Sequence, residues 1–198
     1  MMKFRDVVLK KEVSVILIVL LFFIATSCNN QPHLYNFELQ TIDSVDFPLN
    51  KLSSNKASVF IFLSPECPMC QNYTLTLNNL YVKYKPFKVG FYGIIQPGKF
   101  DKKQIHDFTW TYNVNFNLLV DTDKQLLTYL RAKVTPEVFV VDSLEHILYK
   151  GSIDNWLVEP GQKRTVITEH YLDDMLEAIV SNEEIKVKST EAKGCLIE

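Results

Sequence analysis

The stretch that most constrains this chain is Ser58-Val-Phe-Ile-Phe-Leu63, followed by Ser64-Pro65-Glu66 and then Cys67-Pro68-Met69-Cys70. The first six residues form a continuous apolar run, short and rich in β-branched and aromatic side chains, which suits a strand buried on both faces. Beyond the cysteines, Tyr73, Leu77, Leu80, Tyr81 and Tyr84 recur at helical spacing, which predicts a helix from about Pro68 to Tyr84. Proline is tolerated in a first helical turn, so Pro68 belongs there. A buried strand therefore delivers a C-x-x-C to a helix N-terminus. Unpaired N–H groups and the helix dipole favour a thiolate at that point, and i, i+3 spacing sets the second sulfur on the same face. Cys67 reads as an exposed nucleophile and Cys70, one turn deeper, as the thiol that resolves a mixed disulfide.

The N-terminal segment must be set aside before fold reasoning. Residues 1–27 carry Lys3, Arg5, Lys10 and Lys11 against Asp6 and Glu12, and an apolar run spans Val13 to Ile24. That run is shorter than the roughly 20 residues a bilayer span needs. Ala25-Thr26-Ser27-Cys28 resembles the lipobox of bacterial lipoproteins, although Ala25 stands where Leu is commonest. The resemblance implies cleavage before Cys28, a lipid on its sulfur, and a chain tethered to a membrane outside the cytoplasm. An uncleaved signal anchor is the alternative and gives the same placement. The expected organisation is a signal peptide at 1–27, a tether at 28–33, one folded domain at 34–182 and a tail at 183–198. Outside the cytoplasm a C-x-x-C can hold and exchange a disulfide. Without residues 1–27, 17 basic side chains face 21 acidic ones, with no basic stripe, so nucleic acid is not an expected partner.

The rest of the chain alternates strand and helix signals. Strands are expected at Leu34–Leu39, Val45–Leu49, Lys88–Ile95, Phe116–Val120 and Val138–Val141, with Ile147–Gly151 as a hairpin partner. Helices are expected after an Asp101 cap, over Asp121–Arg131, and over the final apolar face of Tyr171, Leu172, Met175, Leu176, Ile179 and Val180. Ser53 to Lys56 reads as a turn, Asp154 to Lys163 as a loop, and Asn182 to Glu198 as charged and extended. This alternation implies a three-layer α/β sandwich. Thr135-Pro136 is unusual, because a proline entering a buried strand removes a ladder donor.

Phe60 to Cys70, Tyr112 to Leu127 and Val134 to Asp142 together resemble the redoxin branch of the thioredoxin superfamily, which groups alkyl hydroperoxide reductase/thiol-specific-antioxidant proteins with membrane-tethered disulfide reductases. Glu169-His-Tyr-Leu and Thr190 to Ile197 are similar to a redoxin subgroup with a Gly-Cys-x-Ile tail. The resemblance implies a thioredoxin-like α/β/α sandwich with a central mixed sheet. It also implies a cis peptide at Pro136 beside the thiols and a docking groove shaped by Thr135, Pro136, Pro68 and Met69, with the backbone before the proline pairing with substrate. Electrons would pass to or from redox protein partners through mixed disulfides, with no cofactor. The oligomeric state is open.

Some residues depart from that pattern. Glu66 replaces the tryptophan common before the first cysteine, and its charge is expected to oppose the thiolate if close. Tyr73 stands near the place of a buried relay acid, with no acid nearby in sequence. Two alternatives keep the fold and change the chemistry. A peroxidase reading rests on Ser64, three residues before Cys67, with only Arg131 and Arg164 as later arginines. A Cu(I) chaperone reading rests on soft ligands at Cys67, Met69 and Cys70. It lacks a supporting motif at His106, His146 or His170, so no metal site is assigned. A binding-only module of the same fold is a third possibility. Cys195, in the polar tail at Gly194-Cys195-Leu196-Ile197, reads either as a third redox thiol that folds back onto the pair, as one that meets a partner thiol, or as an incidental free cysteine.

Overall fold

The computed structural model describes residues 32–96, 98–159 and 161–197. The leader and Cys28 lie outside them. Among the described residues no helix is long and apolar enough to cross a membrane.

A seven-stranded mixed sheet forms the centre, in the order β2 (Asp46–Pro48), β1 (Glu38–Thr41), β5 (Asn117–Val120), β4 (Val89–Ile95), β3 (Ala57–Leu63), β7 (Glu137–Asp142), β8 (Ile147–Gly151). Strand β3 runs parallel to β4 and antiparallel to β7, and every one of its residues is buried. This is why its sequence is continuously apolar rather than alternating. Successive side chains of a strand point to opposite faces. Val59, Ile61 and Leu63 accordingly join a core with helices α1 (Pro68–Tyr84), α2 (Lys102–Thr111) and α4 (Tyr171–Ser181). Phe60 and Phe62 face a second core with α3 (Gln125–Leu130) and the 3-10 turns at Leu34–Asn36 and Leu49–Ser54. The result is the α/β/α sandwich implied by the sequence.

Helix α1 has the predicted bounds, with Pro68 in its first turn and Tyr73, Leu77 and Tyr84 buried along one stripe. Asp101 caps α2 through a reciprocal capping box with Gln104. Asp121 is also a cap, because its buried carboxylate accepts from the N–H groups of Leu126 and Leu127.

Three expectations change. Leu34 begins a 3-10 turn rather than a strand: its N–H donates to Glu145 Oε2 at 2.9 Å and its side chain is fully buried. The segment read as a loop before Lys163 contains a short hairpin, β9 (Leu157–Glu159) with β10 (Gln162–Lys163). Residues 183–197 are extended but docked. Lys150 N–H donates to Lys188 O and Thr190 N–H to Lys150 O, while the Thr190 hydroxyl meets Tyr149 Oη at 2.7 Å and accepts from Ser152 N–H at 2.9 Å. Gly151, at φ 138°, makes this approach possible, since a Cβ there would fall 2.2 Å from Thr190 Oγ1. The chain then continues into β11 (Cys195–Leu196), which pairs antiparallel with β6 (Val134–Thr135).

Candidate active site

The turn between β3 and α1 is closed by two hydrogen bonds: Cys67 N–H donates to Ser64 O at 3.0 Å, and Gln71 Nε2 to Pro65 O at 2.8 Å. Cys67 becomes the N-cap residue of α1 and Cys70 lies inside the first turn. The antiparallel register of β3 and β7 pairs Phe62 with Glu137, so the residues preceding β7 meet those following β3. Thr135 therefore arrives beside the thiols from 68 positions away, and Cys67 Sγ lies 3.2 Å from its carbonyl oxygen. The Thr135–Pro136 peptide is cis, as the sequence resemblance implied, and both residues are buried.

Cys67 is not exposed, contrary to the sequence expectation. It retains 2 % of its accessible surface and Cys70 none. The cover is β11. Register pairs Cys195 with Thr135, and Cys195 Sγ lies 2.7 Å from Cys67 Sγ. All three cysteines are free thiols, and Cys195 is the one that keeps partial exposure. Gly194 permits the contact, because a Cβ there would sit 2.2 Å from Thr135 O and 2.7 Å from Thr135 C.

These neighbours set the acidity of the site. Hydrogen bonding from the Cys70 thiol lowers the Cys67 thiol to about 5. Burial opposes the shift, and the Cys195 thiol and the Cys70 N–H assist it. Cys70 moves the opposite way, raised well above the ordinary thiol range by burial and then by its bond to Cys67. Cys195 is pushed up to about 12 by burial, by its bond to Cys67 and by that sulfur's charge. One thiolate is thus held between two protonated thiols. The side chain of Glu66 is exposed, and the opposition expected from it is not among the causes that set the Cys67 acidity. Pro68 is exposed and Met69 half-buried against the core beside the cysteines.

The acid missing from the local sequence arrives from the β8–β9 connection. Tyr73 Oη donates to Asp154 Oδ1 at 2.6 Å, and Trp156 N–H donates to the same oxygen at 2.8 Å. Tyr73 and Asp154 are both buried, and the Trp156 ring packs edge-on against Tyr73 at 5.2 Å. Sequence spacing held no signal for this pair, 81 positions apart. His106, His146 and His170 are exposed, as are Arg131 and Arg164. Among the described residues no group of three or more His, Cys, Asp or Glu is placed to hold a metal ion.

The sequence profile described as "AhpC/TSA family" matches residues 31–150. No curated protein matches the chain. Among solved structures, an uncharacterized conserved protein from Geobacillus kaustophilus superposes with a TM-score of 0.71 at 19% identity, over 86% of this chain and 93% of that one. The Mycobacterium tuberculosis DsbF structure, in mixed oxidized and reduced forms, gives 0.57 at 21% identity over 75% and 98%. A secreted Mycobacterium tuberculosis disulfide oxidoreductase homologous to Escherichia coli DsbE gives 0.53 at 20% identity over 75% and 96%. At these identities the likeness establishes a shared thioredoxin-like fold.

Proposed function

The chain belongs to the AhpC/TSA family, and from that premise we propose that it is a thiol–disulfide oxidoreductase, anchored to a membrane through Cys28 and working outside the cytoplasm with protein partners. The observation that carries the reading is the Cys67 sulfur at the N-cap of α1, with Cys70 one turn inward and the Thr135 carbonyl alongside. Cys67 attacks a partner disulfide as the thiolate, forming a mixed disulfide and releasing one partner thiolate. With Cys67 now uncharged, the charge that holds the Cys70 proton is gone. Cys70 then loses its proton to the released partner thiolate and attacks Cys67, expelling the second partner sulfur as a thiolate that takes a proton from water, so the partner leaves as a dithiol and the protein keeps a Cys67–Cys70 disulfide. Two electrons pass to the partner, and the reverse sequence oxidises one. Pro68, Met69, Thr135 and Pro136 surround the sulfur where a partner strand would lie. The extracytoplasmic placement rests on the leader and its lipobox-like end.

A redox titration of the Cys67/Cys70 pair, with partner trapping by the double variant Cys70→Ser/Cys195→Ser, tests this reading. The expected result is a reversible two-electron couple and mixed disulfides through Cys67. Absence of mixed disulfides in cells, together with no insulin reduction by the wild type, would reject it.

A further inference from the structure

The sulfur cluster contains one thiol more than this exchange uses. Resting on the oxidoreductase reading, we propose that Cys195 is a relay thiol, taking the disulfide from Cys67 and presenting it at the surface to a protein dithiol. Three observations carry this. The first is distance: Cys195 Sγ is 2.7 Å from Cys67 Sγ, about 0.7 Å beyond the length of an S–S bond, roughly 2.05 Å. The second is placement, since β11 pairs with β6 and sets Cys195 opposite Thr135, so the chain's own strand occupies the edge where a partner strand would lie. The third is access, because Cys67 and Cys70 are buried while Cys195 keeps partial exposure.

The chemistry balances with the partner dithiol as its external reductant. Starting from a Cys67–Cys70 disulfide, the Cys195 thiolate attacks Cys67 Sγ. The Cys67–Cys195 bond forms, the Cys67–Cys70 bond breaks, and Cys70 leaves as a thiolate that takes a proton. No electrons enter or leave the protein in this step. A partner thiolate then attacks Cys195 Sγ and expels Cys67. The partner's second thiol resolves the resulting bond, leaving the partner as a disulfide and the protein with three thiols. Two electrons have moved from partner to protein.

Two of the three acidities agree with that order, while Cys70, raised by burial, is the poor leaving group of the first step. Burial is the first cause of the raised Cys195 value, but the next two are the bond to Cys67 and its charge, and both vanish once Cys67 is in a disulfide. Cys67 is in turn the best leaving group of the three, because a thiol of lower pKa leaves faster.

The test uses the full chain. Cys70→Ser is oxidised with one equivalent of diamide and mapped by peptide mass spectrometry. A Cys67–Cys195 bridge within one chain is expected; Cys67 left free, or bridged between two chains, would overturn the relay. Wild type, Cys195→Ser and Cys195→Ala, each oxidised to the Cys67–Cys70 disulfide, are then reduced by a reduced thioredoxin as the protein dithiol. Both variants keep β11 as a cover but lack the thiol, and reduction at least tenfold slower than wild type is expected. Equal rates would reject the relay and leave the oxidoreductase reading standing. A wild-type disulfide that neither thioredoxin nor dithiothreitol reduces would reject both.

Discussion

Replacing Gly194 by alanine should lift β11 off the thiols while leaving the rest of the fold in place. The added methyl would fall 2.2 Å from Thr135 O, 2.7 Å from Thr135 C and 3.2 Å from Pro136 N. All three are backbone atoms, so no side chain can rotate away. A carbon normally meets a carbonyl oxygen at about 3.3–3.6 Å, so the strands must separate by about 1 Å or more. Separation on that scale breaks the pairing that holds Cys195 opposite Thr135, including Ile197 N–H to Lys133 O at 2.9 Å. Each such bond contributes about 0.5–1.5 kcal/mol net. Losing two or three shifts local opening by about 1–4 kcal/mol, a factor of roughly five to several hundred. The clamp around Thr190 is untouched, so melting should change little. The assay is the rate of Cys67 alkylation by iodoacetamide at neutral pH, resolved by peptide mapping and compared between Gly194→Ala and wild type. The rate should rise at least about fivefold in the variant. A rate within twofold of wild type would refute the argument that β11 covers the nucleophile and that Gly194 is what lets it do so.

Two further outcomes are expected. Thiolate absorbance in the reduced protein should titrate with a midpoint near 5 for Cys67, and a lowest midpoint above 8 would contradict the hydrogen-bond arrangement drawn for the three sulfurs. Because the folded value lies below the unfolded one, this thiolate stabilises the reduced fold fully above the unfolded thiol range, and that contribution is lost as pH falls through about 5. Tyr73→Phe removes one of two donors to the buried Asp154 Oδ1 and should cost about 1–3 kcal/mol in denaturant unfolding; unchanged stability would show that the bond contributes nothing net.

The elements whose signals are local were legible in the sequence. The run from Ser58 to Leu63 and the stripe Tyr73, Leu77, Tyr84 report burial through composition and period, and both took their expected form. The strand signal of Phe37 and Leu39 does not reach back to Leu34, which stands on the opposite face of that alternation and whose anchor, Glu145, is 111 positions away. The same reason hid the state of the site. Nothing near Cys67 reveals that Cys195, 128 positions later, covers it, or that Asp154 supplies the acid facing Tyr73. The glycine before Cys195 and Gly161 at the β9–β10 turn were available signals, and each carries meaning only once its neighbour in space is known.

The clamp at Thr190 has a consequence for which partners this protein can serve. Ser152 Oγ donates to Glu191 O at 2.9 Å, so the strand carrying Cys195 starts only a few residues from a fixed point. A segment on so short a tether competes for the Thr135 edge at an effective concentration on the order of millimolar. A client at about micromolar concentration that needs the same edge faces a handicap of roughly a thousandfold, or about 4 kcal/mol. If partners dock at that edge as proposed, weak, indiscriminate encounters with thiol-bearing chains are screened out, and the tail sets the affinity a client must exceed.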